Sequence, residues 1–211
     1  FFTELGEGGA RIQLQKNLPL AAGIGAGSAN AAHTLRGLNE LYDTPLSAKS
    51  LHDLGKQLGS DVPFFLQDEC ALATGRGEEI EPVAPLDSLH GKGLLLVHPG
   101  FGVSTPWAYQ ALSAKPKLYC EPGQSAGPIE RLRSGDWQAL QNNLEPGVFG
   151  KYTVLPVIKK FLADNGALGA LMSGSGSTVF AIAEDRPAAE ALRAKYHAHF
   201  GQAGWSATVC L

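Results

Sequence analysis

A run of small residues is the strongest constraint on this chain. In Ala21-Ala22-Gly23-Ile24-Gly25-Ala26-Gly27-Ser28, three glycines stand at alternate positions. Such a run makes a poor helix or strand interior, because glycine packs no side chain and loses the most backbone entropy on ordering. Before it, Arg11–Gln15 alternates polar and apolar residues, which predicts a half-buried strand ended by Pro19. After it, Ala31, Ala32, Leu35, Leu38, Leu41 and Tyr42 recur at helical spacing. That spacing predicts a helix of about four turns, starting at Ser28 and stopping before Pro45. The order is strand, glycine loop, helix.

Glycines in such a loop let backbone N–H groups turn inward with no Cβ in the way. The helix start adds unpaired N–H groups and the positive end of the helix dipole. Phosphate is the natural guest. A tight turn between closely packed elements would use the same composition, so the type of loop matters. A Walker A loop requires a lysine directly after its last glycine, and none lies between Lys16 and Lys49. A dinucleotide fingerprint requires a third glycine where Ser28 stands, although Asp43 lies at a suitable distance for a ribose contact.

The rest of the chain reads as α+β, in two-layer α/β sandwiches. Ser47 is placed to cap a helix carrying Leu51, Leu54 and Leu58, with Gly59 as its stop. Ser60-Asp61-Val62-Pro63 reads as a cap and a proline-started short helix, and short strands follow at Ala71–Thr74 and Glu79–Val83. The segment Pro85 to Lys92 is the expected boundary, giving domains over 1–88 and 89–211. Beyond it the pattern predicts a buried strand at Gly93–His98. Helices follow near Trp107–Leu112, Ile129–Arg133, Trp137–Asn142 and Val154–Asp164. Then come strands Ala167–Met172 and Thr178–Ala183 around a Ser173–Ser177 turn, a helix from Pro187 to His199, and a last strand at Ala207–Cys210. Strands with helices segregated to one side suggest a ferredoxin-like second half.

Composition narrows the function classes. Glycine makes up 26 of 211 residues, well above its ordinary share of roughly 7%. The net charge of −3 gives no electrostatic case for a nucleic acid or a membrane surface as partner. Cys70, Cys120 and Cys210 are far apart and form no CxxC pair, which fits a reducing, cytoplasmic home. The long uncharged stretch Asn165 to Ala183 holds four glycines, three serines, a threonine and an asparagine, so it is a poor lipid-facing helix. The six histidines show no metal-ligand pattern, and no metal-binding residue is expected.

The loop Pro19-Leu20-Ala21-Ala22-Gly23-Ile24-Gly25-Ala26-Gly27-Ser28-Ala29 resembles the ATP loop of the GHMP kinases. Five further blocks fit the same family in order. They are Leu58–Phe65, Gly75-Arg76-Gly77-Glu78, His98-Pro99 with Val103-Ser104-Thr105, Asn142–Pro146, and Met172–Ser177. The resemblance runs from about Gln13 to Phe180. It is strongest to the branch that phosphorylates 4-diphosphocytidyl-2-C-methyl-D-erythritol.

The resemblance implies an ATP-dependent small-molecule kinase of the non-mevalonate isoprenoid route. Its fold would be a ribosomal-protein-S5-like N-terminal domain, here incomplete, plus a ferredoxin-like C-terminal domain. Asp61 would be the catalytic carboxylate, where the residues alone equally allow a helix cap. Pro19 to Ala29 would bind ATP, with the Ser28 hydroxyl near the phosphates and Mg2+. A plain N-cap role for Ser28 is compatible with that. Tyr109, Ser175 and Gly176 would meet the cytidine diphosphate-linked substrate. Position 29, often a second serine in the family, is alanine here.

Family members also begin with a strand carrying a second catalytic residue, a lysine, which nothing in Phe1–Ala10 matches. The expectation is a missing N-terminal segment, and weak or absent activity from this polypeptide alone. A cytoplasmic (bacterial) or plastid-stroma location and a monomer or homodimer complete the expectation. Another GHMP kinase acting on homoserine or a mevalonate derivative stays open, as does a non-catalytic ligand-binding paralogue.

Overall fold

The computed structural model describes residues 1–6, 8–114 and 126–211; Cys120 lies outside them. The chain forms two compact units, Phe1–Leu18 with Gly25–Pro85, and Pro19–Ile24 with Leu86–Leu211. The division falls after Pro85, and the first half of the glycine loop goes with the C-terminal residues.

In the first unit a short helix α1 (Phe2–Leu5) precedes α2 (Ala26–Leu41) and α3 (Ala48–Leu58). The Ser47 side chain accepts from the Ser50 N–H to start α3, and Gly59 ends it. Buried Asn39 fixes the link between α2 and α3. Its amide donates to the Leu46 carbonyl and its oxygen accepts from the Leu46 N–H, both at 3.0 Å. Ala32, Leu35 and Val62 form a small core, with Leu51, Leu54, Phe65 and Leu66 packed against it. Strands β1 (Ala71–Thr74) and β2 (Glu79–Pro82) pair antiparallel around the Gly75–Glu78 turn.

The expected strand at Arg11–Gln15 is not formed. Those residues lie outside any element, and Ile12 and Leu14 are both 61% exposed. An alternating segment becomes a strand only when a neighbour satisfies its N–H and C=O groups, and among the described residues none lies beside it.

The second unit holds β3 (Gly93–His98), α4 (Thr105–Ser113), α5 (Ala126–Arg133), α6 (Glu145–Lys151) and α7 (Val154–Asp164). They are followed by β4 (Gly169–Met172), β5 (Val179–Ala183), α8 (Arg186–Phe200) and β6 (Trp205–Cys210). The four strands make one antiparallel sheet in the order β4-β5-β3-β6. A β-α-β-β-α-β sequence with its first strand between the third and the last is the ferredoxin-like arrangement, as expected.

Alternation on β3 explains the layering. Leu95 and Val97, together with Val179 and Ala181 of β5, join Leu155, Ile158 and Leu162 of α7 and Leu192 and Tyr196 of α8 in the main core. On the opposite face Leu94, Phe180 and Ile182 meet Leu132, Trp137 and Leu140 around an apolar cavity of about 280 Å³.

Two helices differ from the reading. The helix expected at Trp137–Asn142 is only a 3-10 turn, Trp137–Ala139, whose N–H at Gln138 is capped by Asp136. Helix α6 forms against its sequence, in which Pro146, Gly147 and Gly150 look like breakers. Pro146 sits in the first turn, where its missing N–H costs nothing. Among the described residues no helix is long and apolar enough to cross a membrane.

Candidate active site

The glycine loop has two halves with different physical causes. In the second unit, Gly23 takes a left-handed φ of +74° and sits tight against the Ser173–Ser177 turn. A Cβ there would overlap the Ser173 carbonyl oxygen and lie 2.8 Å from both the N and O of Gly176. Hydrogen bonds complete the junction. Ser173 Oγ donates to the Gly23 carbonyl at 2.9 Å, and the Thr178 N–H donates to the Ala22 carbonyl at 3.1 Å. Ala22 is buried, whereas Leu20 is 71% exposed. Ala21, itself at φ +51°, is crowded by Gly102, where a Cβ would come within 2.8 Å of its methyl.

The turn is braced from its other side. Asn142 Nδ2 donates to the carbonyls of Met172 and Gly174 at 2.7 and 2.8 Å, while its oxygen accepts from the Leu144 N–H. Glu145 Oε1 accepts the Met172 N–H at 2.9 Å, and its second oxygen pairs with Lys159 at 2.6 Å. Ser175 is buried with its hydroxyl 2.9 Å from Thr105 Oγ1, and Ser177 Oγ donates to the Phe101 carbonyl. Thr105 begins α4, and Tyr109 stands one turn further along it, 54% exposed. Gly176, at φ +84°, leaves no space for a side chain beside Met172.

In the first unit, Gly25 is the N-cap of α2, at φ +67°. A Cβ on Gly25 would meet the Phe65 ring at 2.6 Å. The helix therefore starts at Ala26, two residues before Ser28, and no side chain caps it. Ser28 is within the first turn and is not an N-cap. Ala29 already donates to the Gly25 carbonyl, so the N–H groups preceding it are the ones left toward an anion. Gly27 differs from both earlier glycines, since a Cβ there would meet nothing within 4 Å.

Phe65 belongs to the 3-10 helix Pro63–Leu66, which begins two residues after Asp61. Its N-cap is Val62 and no side chain caps it, so Asp61 is not the helix cap that Asp-Val-Pro suggests. Asp61 is exposed, and no described residue bonds its carboxylate. At the far end of that helix, Asp68 pairs with Arg36 of α2 at 2.8 Å. The Arg36 guanidinium holds the Asp68 carboxyl below the usual carboxylate range. Burial of Val62 and Phe65 against Ala32 and Leu35, plus this pair, sets the start of α2 beside the Asp61 block. Among the described residues no group of three or more His, Cys, Asp or Glu side chains is placed to hold a metal.

An uncapped helix start after a glycine loop, beside a carboxylate that no described residue pairs, suits transfer of a phosphoryl group to an alcohol. Residues 1–69 match the family model for the GHMP kinases N terminal domain, and residues 128–202 match that for the GHMP kinases C terminal. The chain belongs to the GHMP kinase family.

Among curated relatives, this GHMP kinase is 45% identical over 192 residues to the 4-diphosphocytidyl-2-C-methyl-D-erythritol kinase of Pelotomaculum thermopropionicum. That alignment covers 89% of this chain and 65% of the relative, so the chain spans about two thirds of its length. The kinase of the same description from Pelobacter propionicus is 41% identical, over 95% of this chain and 69% of its own. In three dimensions a crystal structure of 4-(cytidine 5'-diphospho)-2C-methyl-D-erythritol kinase superposes with a TM-score of 0.73 at 33% identity. It covers 92% of this chain and 68% of that one. Homoserine kinase from Cytophaga hutchinsonii shares the GHMP fold, with a TM-score of 0.65 at 22% identity over 92% of this chain and 67% of that one.

The alternating-glycine pattern points to the loop but not to its division of labour. Phe65, Thr105, Asn142 and Glu145 each stand out only as members of their blocks. Their roles depend on which carbonyl or ring lies opposite, and that is a property of the fold.

Proposed function

We propose that this protein transfers the γ-phosphoryl group of ATP to the 2-hydroxyl of 4-diphosphocytidyl-2-C-methyl-D-erythritol, a step of the non-mevalonate route to isoprenoids. The carrying observation is Asp61. It is an exposed carboxylate with no partner among the described residues, in a block whose Phe65 packs on the N-cap of the phosphate-loop helix. The substrate assignment is supported by the relatives of 40–45% identity that bear that activity in their names.

Asp61 orients the alcohol and accepts its proton as the loose transition state develops. The uncapped N–H groups at the start of α2 receive phosphate oxygens, and Ser28 in that first turn adds a hydroxyl. Backbone donors fixed in this way need no reorganisation as charge develops, which is where such sites gain most of their rate. Magnesium, held mainly by the nucleotide's own phosphates with Ser28 nearby, supplies neutralising charge when bound. Tyr109 offers its open ring to the cytosine face, and the Ser175–Gly176 turn contacts the diphosphate end. The protein works in the bacterial cytoplasm or plastid stroma as a monomer or homodimer.

A substrate panel with ADP detection tests this, using protein expressed from its complete reading frame. The reading expects turnover with 4-diphosphocytidyl-2-C-methyl-D-erythritol at least about 10²-fold above homoserine or mevalonate, the scale that a site hydrogen-bonding its substrate provides. Preference for either of the others reassigns the substrate. Nucleotide binding without turnover of any of them marks a non-catalytic paralogue.

A further inference from the structure

Asp61 has a close neighbour that the phosphoryl-transfer reading does not use. The turn between β1 and β2 brings Gly77 against it. A Cβ on Gly77 would lie 2.9 Å from Asp61 Oδ1 and within van der Waals distance of Ser60. Gly77 also has a φ of +112°, outside both the right-handed and the left-handed helical regions, where only glycine is at ease. Position 77 is thus the one place on this turn where a side chain would push directly on the carboxylate.

The turn is rigidly made. The Gly77 N–H donates to the Thr74 carbonyl at 3.0 Å, and Glu78 folds back so that its Oε2 accepts the Arg76 N–H at 2.7 Å. Bonds from the backbone N–H groups of Glu78 and Arg76 hold the Glu78 carboxyl below the usual carboxylate range, as expected for an ionised side chain fixing a turn. Lys56 of α3 pairs with Glu79 at 3.3 Å. The hairpin is therefore tied to the helix that ends three residues before Asp61. Two elements approach Asp61, one through the chain and one through Gly77.

We propose that the Gly75–Glu78 turn is the positioning element of the Asp61 carboxylate. Gly77 limits where Oδ1 can swing without covering it, and Glu78 holds Gly77 in place. This rests on the phosphoryl-transfer reading of Asp61. Neither residue touches the reacting atoms. Both act through Asp61, so their effect falls on kcat and disappears once Asp61 can no longer serve.

The test is a double-mutant cycle with Gly77→Ala and Glu78→Ala, each in the native and the Asp61→Asn backgrounds. Folding of each variant is checked by its thermal melt. With Asp61 present, Gly77→Ala lowers kcat by about 10- to 100-fold, the scale of an ångström-level misplacement, with the ATP KM within about twofold. In the Asp61→Asn background the same change costs less than about threefold, because coupled residues do not add. Gly77→Ala strains the backbone, so Glu78→Ala is the fold-safe arm. It lowers kcat several-fold, and Glu78→Gln, which keeps an acceptor oxygen, restores most of the loss.

Equal losses in both backgrounds, or unchanged kcat in folded variants, overturn the proposal while leaving the function intact. Near-normal turnover by Asp61→Asn overturns both.

Discussion

Gly23 and Ser173 are in contact through their backbones: the Cα of Gly23 faces the Ser173 carbonyl so closely that a methyl group would overlap it. Ser173 Oγ in turn donates to the Gly23 carbonyl at 2.9 Å. Two glycine-bearing segments 150 residues apart are thereby joined, and the first half of the glycine loop takes its shape from the turn.

That junction separates the glycines by role. Gly23→Ala combines a positive φ with a clash against backbone, so it should cost about 1–3 kcal/mol in denaturant unfolding and weaken ATP binding as well. Gly27→Ala meets nothing in the fold, and its better helix propensity should leave stability equal or raised by up to about 1 kcal/mol. On the proposed function its ATP KM should nonetheless rise, because the new methyl group is added in the first turn of α2, where the phosphates would bind. Calorimetric ATP titration with a denaturation curve for each variant decides it. An unchanged ATP affinity in Gly27→Ala would assign that glycine to something other than nucleotide approach.

Tyr109 is 54% exposed, and among the described residues it makes no ring contact, unlike Tyr152, which stacks on Phe101 at 5.4 Å. A ring kept open to solvent is available to a base. Stacking is worth about 1–3 kcal/mol per base, so Tyr109→Ala should raise the KM for the cytidine-bearing substrate by roughly 5- to 150-fold. Tyr109→Phe should stay near native, and the ATP KM should not move. Initial rates with each substrate varied separately check this.

His98 gives the second unit a pH dependence. It is 5% exposed, its Nδ1 accepts the Gly100 N–H at 3.2 Å, and its Nε2 is buried with no partner among the described residues. Burial pushes its pKa below the ordinary 6.5. The unfolded chain then binds the proton more readily than the folded one. The contribution is fully present above about pH 6.5 and is lost as the pH falls from there through the lower folded value. Unfolding free energy measured from pH 7.5 to 5 should therefore decline on acidification, with a slope no steeper than about 1.4 kcal/mol per pH unit from this group. His98→Gln should flatten that slope.

Much of the architecture is legible in the chain. The periodicity of Ala31 to Tyr42 marks α2, the apolar run Leu94–Val97 marks the central strand, and Pro187 marks the start of α8. What escapes is whatever depends on a distant partner. Arg11–Gln15 has the alternation of a strand but, among the described residues, no neighbour to pair with. Ser28 looks like a cap, yet the chain turns into helix earlier because Gly25 adopts a left-handed φ against Phe65. Asp61 also looks like a cap and is not one, since the 3-10 helix starts from Val62 with its first N–H groups uncapped. For the site, residue type and order pointed to the loop and the carboxylate. The bonds of Asn142, Glu145 and Thr105 follow from the antiparallel sheet and could not be read from spacing.

The central claim is that Asp61 handles the acceptor alcohol while the loop handles the nucleotide. The most direct measurement is kcat of Asp61→Asn with 4-diphosphocytidyl-2-C-methyl-D-erythritol, alongside ATP affinity measured separately on the same protein. The account predicts a fall in kcat on the order of 10²-fold or more with ATP affinity retained. Near-normal turnover would contradict it and return Asp61 to an exposed turn residue.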